Sequence, residues 1–135
     1  MAISYVTALR TTRITDVRDA ADAGPGAAKI KLYTGTSPGV NNAATGTLLA
    51  ILTCSDPCGT VSSGQLTFSA ITAEDAALAD GTAGYARITT SADVTVADLA
   101  VGGTGSGKDI ILNNVNIVLG GEVSISSGTI TEGNA

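Results

Sequence analysis

The chain has 135 residues, enough for one domain that buries roughly two-thirds of its unfolded surface around a single core. It is 44% hydrophobic but only 3% aromatic, so that core must be built from Val, Ile, Leu and Ala, which pack between closely spaced layers. Twelve acids, seven bases and no histidine give a net charge of −5, which disfavours a nucleic-acid partner and removes the usual general base with every Ser-His or Cys-His nucleophile.

Residues 1–26 read as an N-terminal helical arm and 27–135 as the β body of the same domain. Within the arm, residues 4–23 form a helix that Ser4 can cap, with Gly24 as a left-handed stop and Pro25 as a breaker. At about 100° per residue, Ile3, Val6, Leu9, Ile14, Val17, Ala20 and Ala21 fall on one side, opposite Thr11, Thr12, Thr15, Asp19 and Asp22. Arg10 and Arg13 lie inside the apolar sector. Either they snorkel along the domain edge or pair with Asp16, or this sector (Val6, Leu9, Arg10, Arg13) meets an acidic, partly apolar surface on another subunit.

From Lys29 the pattern has period two, with Ile30 and Leu32 on one face and the lysines on the other. Further strands are expected at 47–53, 65–70, 82–89, 93–101, 109–113, 115–119 and 122–131. That makes about eight antiparallel strands, the number of a β-sandwich or jelly roll. Residues 34–46 and 71–81 read as loops, the second with a helical turn opened by Thr72 and Asp75. In 93–101 the apolar phase moves from Val94 and Val96 to Leu99 and Val101, which predicts a bulge near Ala97 and Asp98. Asn116–Leu119, Gly120-Gly121 and Glu122–Ile125 read as a hairpin on a two-glycine turn.

Motifs that suggest chemistry are incomplete. Gly102–Lys108 matches seven positions of the phosphate-binding loop, but the eighth is Asp109 where a hydroxyl is needed, and a strand follows where a helix is required. The stretch reads as a Gly-rich hairpin loop. Cys54 and Cys58 flank Ser55-Asp56-Pro57, a turn compatible with either two reduced thiols or a disulfide. A four-ligand zinc site is not available from these residues within one chain. Glu74, Asp75 and Asp80 could be imagined as an acid, a base or a calcium site, yet they sit in an Ala-rich stretch that reads more simply as a solvated loop. No cofactor and no catalytic residue is expected. The longest aliphatic run, Leu48–Leu52, is far short of the ~20 residues of a membrane helix, and the N-terminus lacks a signal-peptide pattern, so a soluble chain made in the cytoplasm is expected.

Several segments carry a resemblance: Ala8-Leu9-Arg10, Val17–Gly26, Lys29–Gly35, Leu48–Leu52, Leu66–Thr72, Gly84–Ile88 and Gly128–Gly133. Together they resemble small proteins encoded in the head modules of tailed bacteriophages and prophages. The resemblance implies a capsid cement, or decoration, protein: a β-sandwich or jelly roll on the exterior of the virion capsid that bridges subunits of the major capsid protein, often as a homo-oligomer. It carries over no catalytic residue and implies no membrane or nucleic-acid partner. A tail, neck or fibre component would share the composition. A carbohydrate-binding β-sandwich would have only Tyr5, Tyr33, Tyr85 and Phe68 to stack on a sugar.

Overall fold

The computed structural model describes residues 4–131. One helix, α1 (Thr7–Ala21), precedes nine strands: β1 (Lys29–Thr34), β2 (Leu48–Thr53), β3 (Gly59–Ser62), β4 (Gln65–Phe68), β5 (Gly81–Thr89), β6 (Thr95–Gly102), β7 (Ile110–Leu112), β8 (Asn116–Ile117) and β9 (Ile125–Thr131). The fold is thus mainly β with an N-terminal helix, as the periodicities predict. Eight strands form one hydrogen-bonded path in the order β2-β1-β5-β6-β7-β9-β4-β3, and β8 pairs with the start of β5. The sheet curls around a single core in which Ile30, Leu32, Leu52 and Ile88 join Leu66, Phe68, Ile110 and Leu112. Helix α1 packs on β3, β4 and β6.

Period two holds in β1 and β4. Ile30 and Leu32 are buried opposite Ile88 and Ala86, while Lys29 and Lys31 lie on the other face with Arg87. Strand β5 is central and buried on both faces, so alternation fades there. In β6 the expected bulge is present at Val96, one residue before the predicted place: Ile88 pairs with Ala97 and Thr89 with Thr95, which leaves Val96 extra.

Strand pairing departs from the all-antiparallel expectation at β6 and β7, which run parallel with Val101 opposite Ile110 and Gly102 opposite Ile111. A parallel pair ordinarily needs a crossover of a dozen or more residues. Here the overlap is two residues, short enough for the Gly-rich segment 103–109 to loop out and return. That segment is therefore not a hairpin loop. The strand expected after it, β7, is in place.

The hairpin expected at Gly120-Gly121 is also corrected. The turn exists, with the Gly121 N–H donating to Val118 C=O at 2.8 Å and a positive φ at Gly120, but its arms do not pair. Instead β8 joins β5, and Val123 bridges Glu74. One positive φ at the third turn position is not the geometry that matches the twist of a tight hairpin. The two-residue hairpin lies between β3 and β4, where Ser63 and Gly64 both take positive φ (50° and 77°), the pattern of a type I′ turn. Strand β3 has little sequence signal, because Gly59–Ser62 holds one large apolar residue, Val61. Residues 71–80 contain no helical turn; they form bridges through Thr72 and Glu74 and then bend at 75–76 and 78–79.

Candidate interaction surfaces

The helix begins at Thr7, with Val6 in extended conformation as its N-cap and no side-chain cap, so Ser4 does not cap it. Its docking comes from the second half. Ile14 and Ala21 are buried and Val17 packs against the core. Thr11, expected on the polar face, turns toward the sheet, where its hydroxyl accepts the Gly64 N–H at 2.8 Å. The apolar sector is thereby divided. Val6 is 71% exposed and Leu9 43%, and Ala20 is exposed as well; Ile3 lies outside the described residues.

Arg10 is half-buried with its stem beside Gly64, and its Nη2 donates to Thr7 Oγ1 at 3.1 Å. Arg13 is exposed and stands 5.0 Å over the Tyr5 ring, a cation–π contact. The four expected contact residues thus stay together on the first turns of α1, two as apolar surface and two as cations.

At the other end of the helix, Asp22 closes the last turn by donating its N–H to Arg18 C=O at 3.0 Å. Gly24 is not a left-handed stop, since its φ is not positive. Its lack of a side chain serves packing instead, because a Cβ there would lie 2.3 Å from Ser91 Oγ. Both Asp22 carboxylate oxygens accept the Cys58 N–H, at 3.0 and 3.1 Å. Cys58 is fully buried, Cys54 nearly so, and both are free thiols. Burial foremost, then the Asp22 charge, pushes both thiols up to about 12. A neutral thiol is a poor nucleophile and a poor metal ligand, and among the described residues no group of three acidic, cysteine or histidine side chains could hold a metal.

A polar cluster covers the outer face of β1, β5 and β6. Arg87 on β5 and Asp98 on β6 are direct cross-strand partners and form a two-pronged ion pair, Nε to Oδ1 at 2.7 Å and Nη2 to Oδ2 at 3.0 Å. Arg87 is 4% exposed and Asp98 10%. Such a pair requires further hydrogen bonds to offset desolvation, and the segment between β1 and β2 supplies them. Arg87 donates to the carbonyls of Asn42 and Gly39 at 2.8 and 3.2 Å. Ser37 donates its hydroxyl to Asp98, and the Tyr85 hydroxyl donates to Thr45 C=O at 2.7 Å. The Arg87 guanidinium, foremost by its hydrogen bonds, holds the Asp98 carboxyl below the usual range. Sequence reading does not find this cluster; the cue is an arginine among apolar residues of a central strand, followed by Asp98 two residues past the bulge.

The same cluster occupies the aromatic rings. Tyr33 and Tyr85 stack on each other with centroids 5.2 Å apart, and Tyr85 and Phe68 are buried. Little aromatic surface remains for a sugar. Asp109 accepts the Ala100 N–H at 3.2 Å, so it ties the end of the Gly-rich loop to the backbone of β6. Asp80 accepts the Leu119 N–H at 2.6 Å, and Glu74 accepts from Ala76 at 3.4 Å. These carboxylates organise loops and do not converge on one point.

Two further apolar features are exposed. Val118 and Leu119, 67% and 61% exposed, project at the turn after β8, next to Leu78. At the far end of β5, the C-terminal end of α1 and the β5–β6 turn enclose an apolar groove of about 590 Å³ lined by Ala20, Ala23, Pro25, Ala92, Val94 and Val96. Among the described residues no helix is long and apolar enough to cross a membrane. Comparison with protein-family models, with curated proteins and with solved structures finds no match.

Proposed function

We propose that this chain is a non-enzymatic structural component of a virion, a capsid cement protein that binds the outer surface of a phage head and bridges major capsid subunits. The observation that carries this reading is the division of α1. Its second half is anchored by Ile14 and Ala21, while its first turns hold Val6 and Leu9 in solvent beside Arg10 and Arg13. Exposed apolar side chains next to guanidinium groups suit an interface with an acidic, partly apolar partner. The resemblance to phage head-module proteins gives that partner its identity. Many copies on a shell let individually weak contacts sum, so that expansion stress must break cement contacts as well as shell contacts.

The test is binding to purified shells. Arg10→Ala with Arg13→Ala is expected to lower occupancy, measured as copies per shell subunit, with the thermal midpoint of the free protein within a few degrees of the parent. Occupancy equal to that of the parent chain would remove the helix from the contact.

A further inference from the structure

Residues 35–46 join β1 to β2 without adding a side chain to the core. None of them is buried, and Val40, their one large aliphatic residue, is 40% exposed. They carry no ionisable side chain. A loop that buries little apolar surface loses little when it lifts away, so hydrophobic burial hardly opposes its opening.

What holds the loop down is a set of polar contacts to three side chains of β5 and β6. Arg87 donates to the Gly39 and Asn42 carbonyls, and Asp98 accepts the Ser37 hydroxyl. The Tyr85 hydroxyl donates to Thr45 C=O and accepts the Thr45 N–H at 3.1 Å. The loop is also tied to itself. The Asn42 N–H donates to Gly39 C=O at 3.0 Å, the Asn42 side-chain amide to Pro38 C=O at 2.7 Å and the Gly39 N–H to Ser37 Oγ at 3.1 Å, so residues 37–42 can move as one piece. Opening exchanges the contacts with the sheet for hydrogen bonds to water, at a small net cost for each. It also lets water reach the Arg87–Asp98 pair, whose members stay bonded to each other.

The two ends of the loop stay in place. The Thr34 N–H donates to Thr47 C=O at 3.1 Å and the Thr47 N–H to Thr34 Oγ1 at 2.9 Å, which closes the neck. Just beyond it on either side stand Gly35 and Gly46, with φ of 82° and 85°. Glycine passes between positive and negative φ without a side-chain clash, so both ends can absorb the change in backbone angles that opening requires.

We infer that residues 35–46 form a strap that opens as one unit while the sheet stays folded, hinged at Gly35 and Gly46 and latched on Arg87, Asp98 and Tyr85. The closed strap keeps Tyr85, Arg87 and Asp98 at 3%, 4% and 10% exposure. Opening presents them, with Tyr33 stacked on Tyr85, as a polar and aromatic face. The strap therefore gates the outer face of β5 and β6.

Native-state hydrogen exchange of the free protein tests this. In the parent chain the Gly39, Asn42 and Thr45 amides should share one opening equilibrium that hardly changes with urea. The Cys54 and Leu78 amides, bonded to Ala28 and Leu49 C=O, should instead follow the steep urea dependence of unfolding. Tyr85→Phe removes the latch at Thr45 and should speed exchange at Asn42 as well, by about tenfold. Ser37→Ala removes the latch at Asp98 and should do the same at Thr45. Strap amides that exchange only through the unfolding that releases Cys54 and Leu78 would overturn the inference, and so would three strap amides with unrelated openings. Variants that speed exchange only at the amide whose own partner was removed would also overturn it. The urea series needs no variant, so it decides the matter even if a substitution prevents folding.

Discussion

Arg87 is the residue on which the outer face depends most. Replacing it with Met leaves the Asp98 carboxylate buried without its cation and releases the carbonyls of Gly39 and Asn42. Loss of one partner of a buried pair costs about 3–5 kcal/mol, so Arg87→Met should lower the free energy of unfolding in urea by that order. Asp98 is held below the usual carboxylate range when folded, so the unfolded chain binds more protons as the pH falls. Its contribution is present above the ordinary carboxylate range and is lost as the pH drops through the depressed folded value. Asp98→Asn should flatten the acid limb of the stability profile. An acid limb as steep as the parent's would show that the pair does not titrate with folding. The cysteines bear on the opposite limb: with folded thiols pushed up to about 12, their stabilisation is present below the pKa of an unfolded thiol and is lost as the pH rises from there toward 12. In the native state at pH 8 both should react with an aromatic disulfide reagent only as fast as the protein opens. Rapid labelling would contradict their burial. The spacing of Cys54 and Cys58 leaves thiol and disulfide open because a five-residue corner suits both; the burial of the thiols and the contact of the Cys58 N–H with Asp22, 36 residues away, are invisible to local reading.

At the scale of the element, α1 shows why a helical wheel locates a helix better than its docking face. The wheel groups every apolar residue, but only Ile14, Val17 and Ala21 reach the sheet, because the β3–β4 turn meets the helix at Thr11 through the Gly64 N–H. A polar residue with a partner of high sequence separation thus draws the face round, and Val6 and Leu9 are left outside. Ile14→Ala should therefore cost about 2–5 kcal/mol, whereas Leu9→Ala should stay within about 0.5 kcal/mol, both read from urea unfolding. Equal losses would mean that the helix docks along its whole length. The strands were legible where one face is wet and one dry, as in β1. They were less so where the signal was a turn. Ser63-Gly64 holds the two positive φ angles of a tight hairpin, while Gly120-Gly121 holds one and joins strands that pair elsewhere. Dipeptide composition indicates a turn; the backbone angles decide whether its arms pair.

For the whole molecule, composition anticipated a core of small and branched aliphatic residues, and that core is present from Ile14 to Val123. The parallel β6–β7 pair was not legible, because it depends on a two-residue overlap that no periodicity encodes. Charge was legible in sum but not in place. Arg87 is spent inside, Lys29 and Lys31 are gathered on Asp93, and Arg10 and Arg13 stay with the exposed turns of the helix. The molecule is a curled β body whose helix is anchored by its second half and leaves Val6 and Leu9 exposed at its start, the surface proposed to meet the shell. Electron cryomicroscopy of intact particles from a host producing this chain tests it most directly. The account predicts many copies on the outer face of the head, each across a joint between shell subunits with the first turns of α1 against the shell. Copies confined to the tail vertex, or particles that lack the chain altogether, would contradict it.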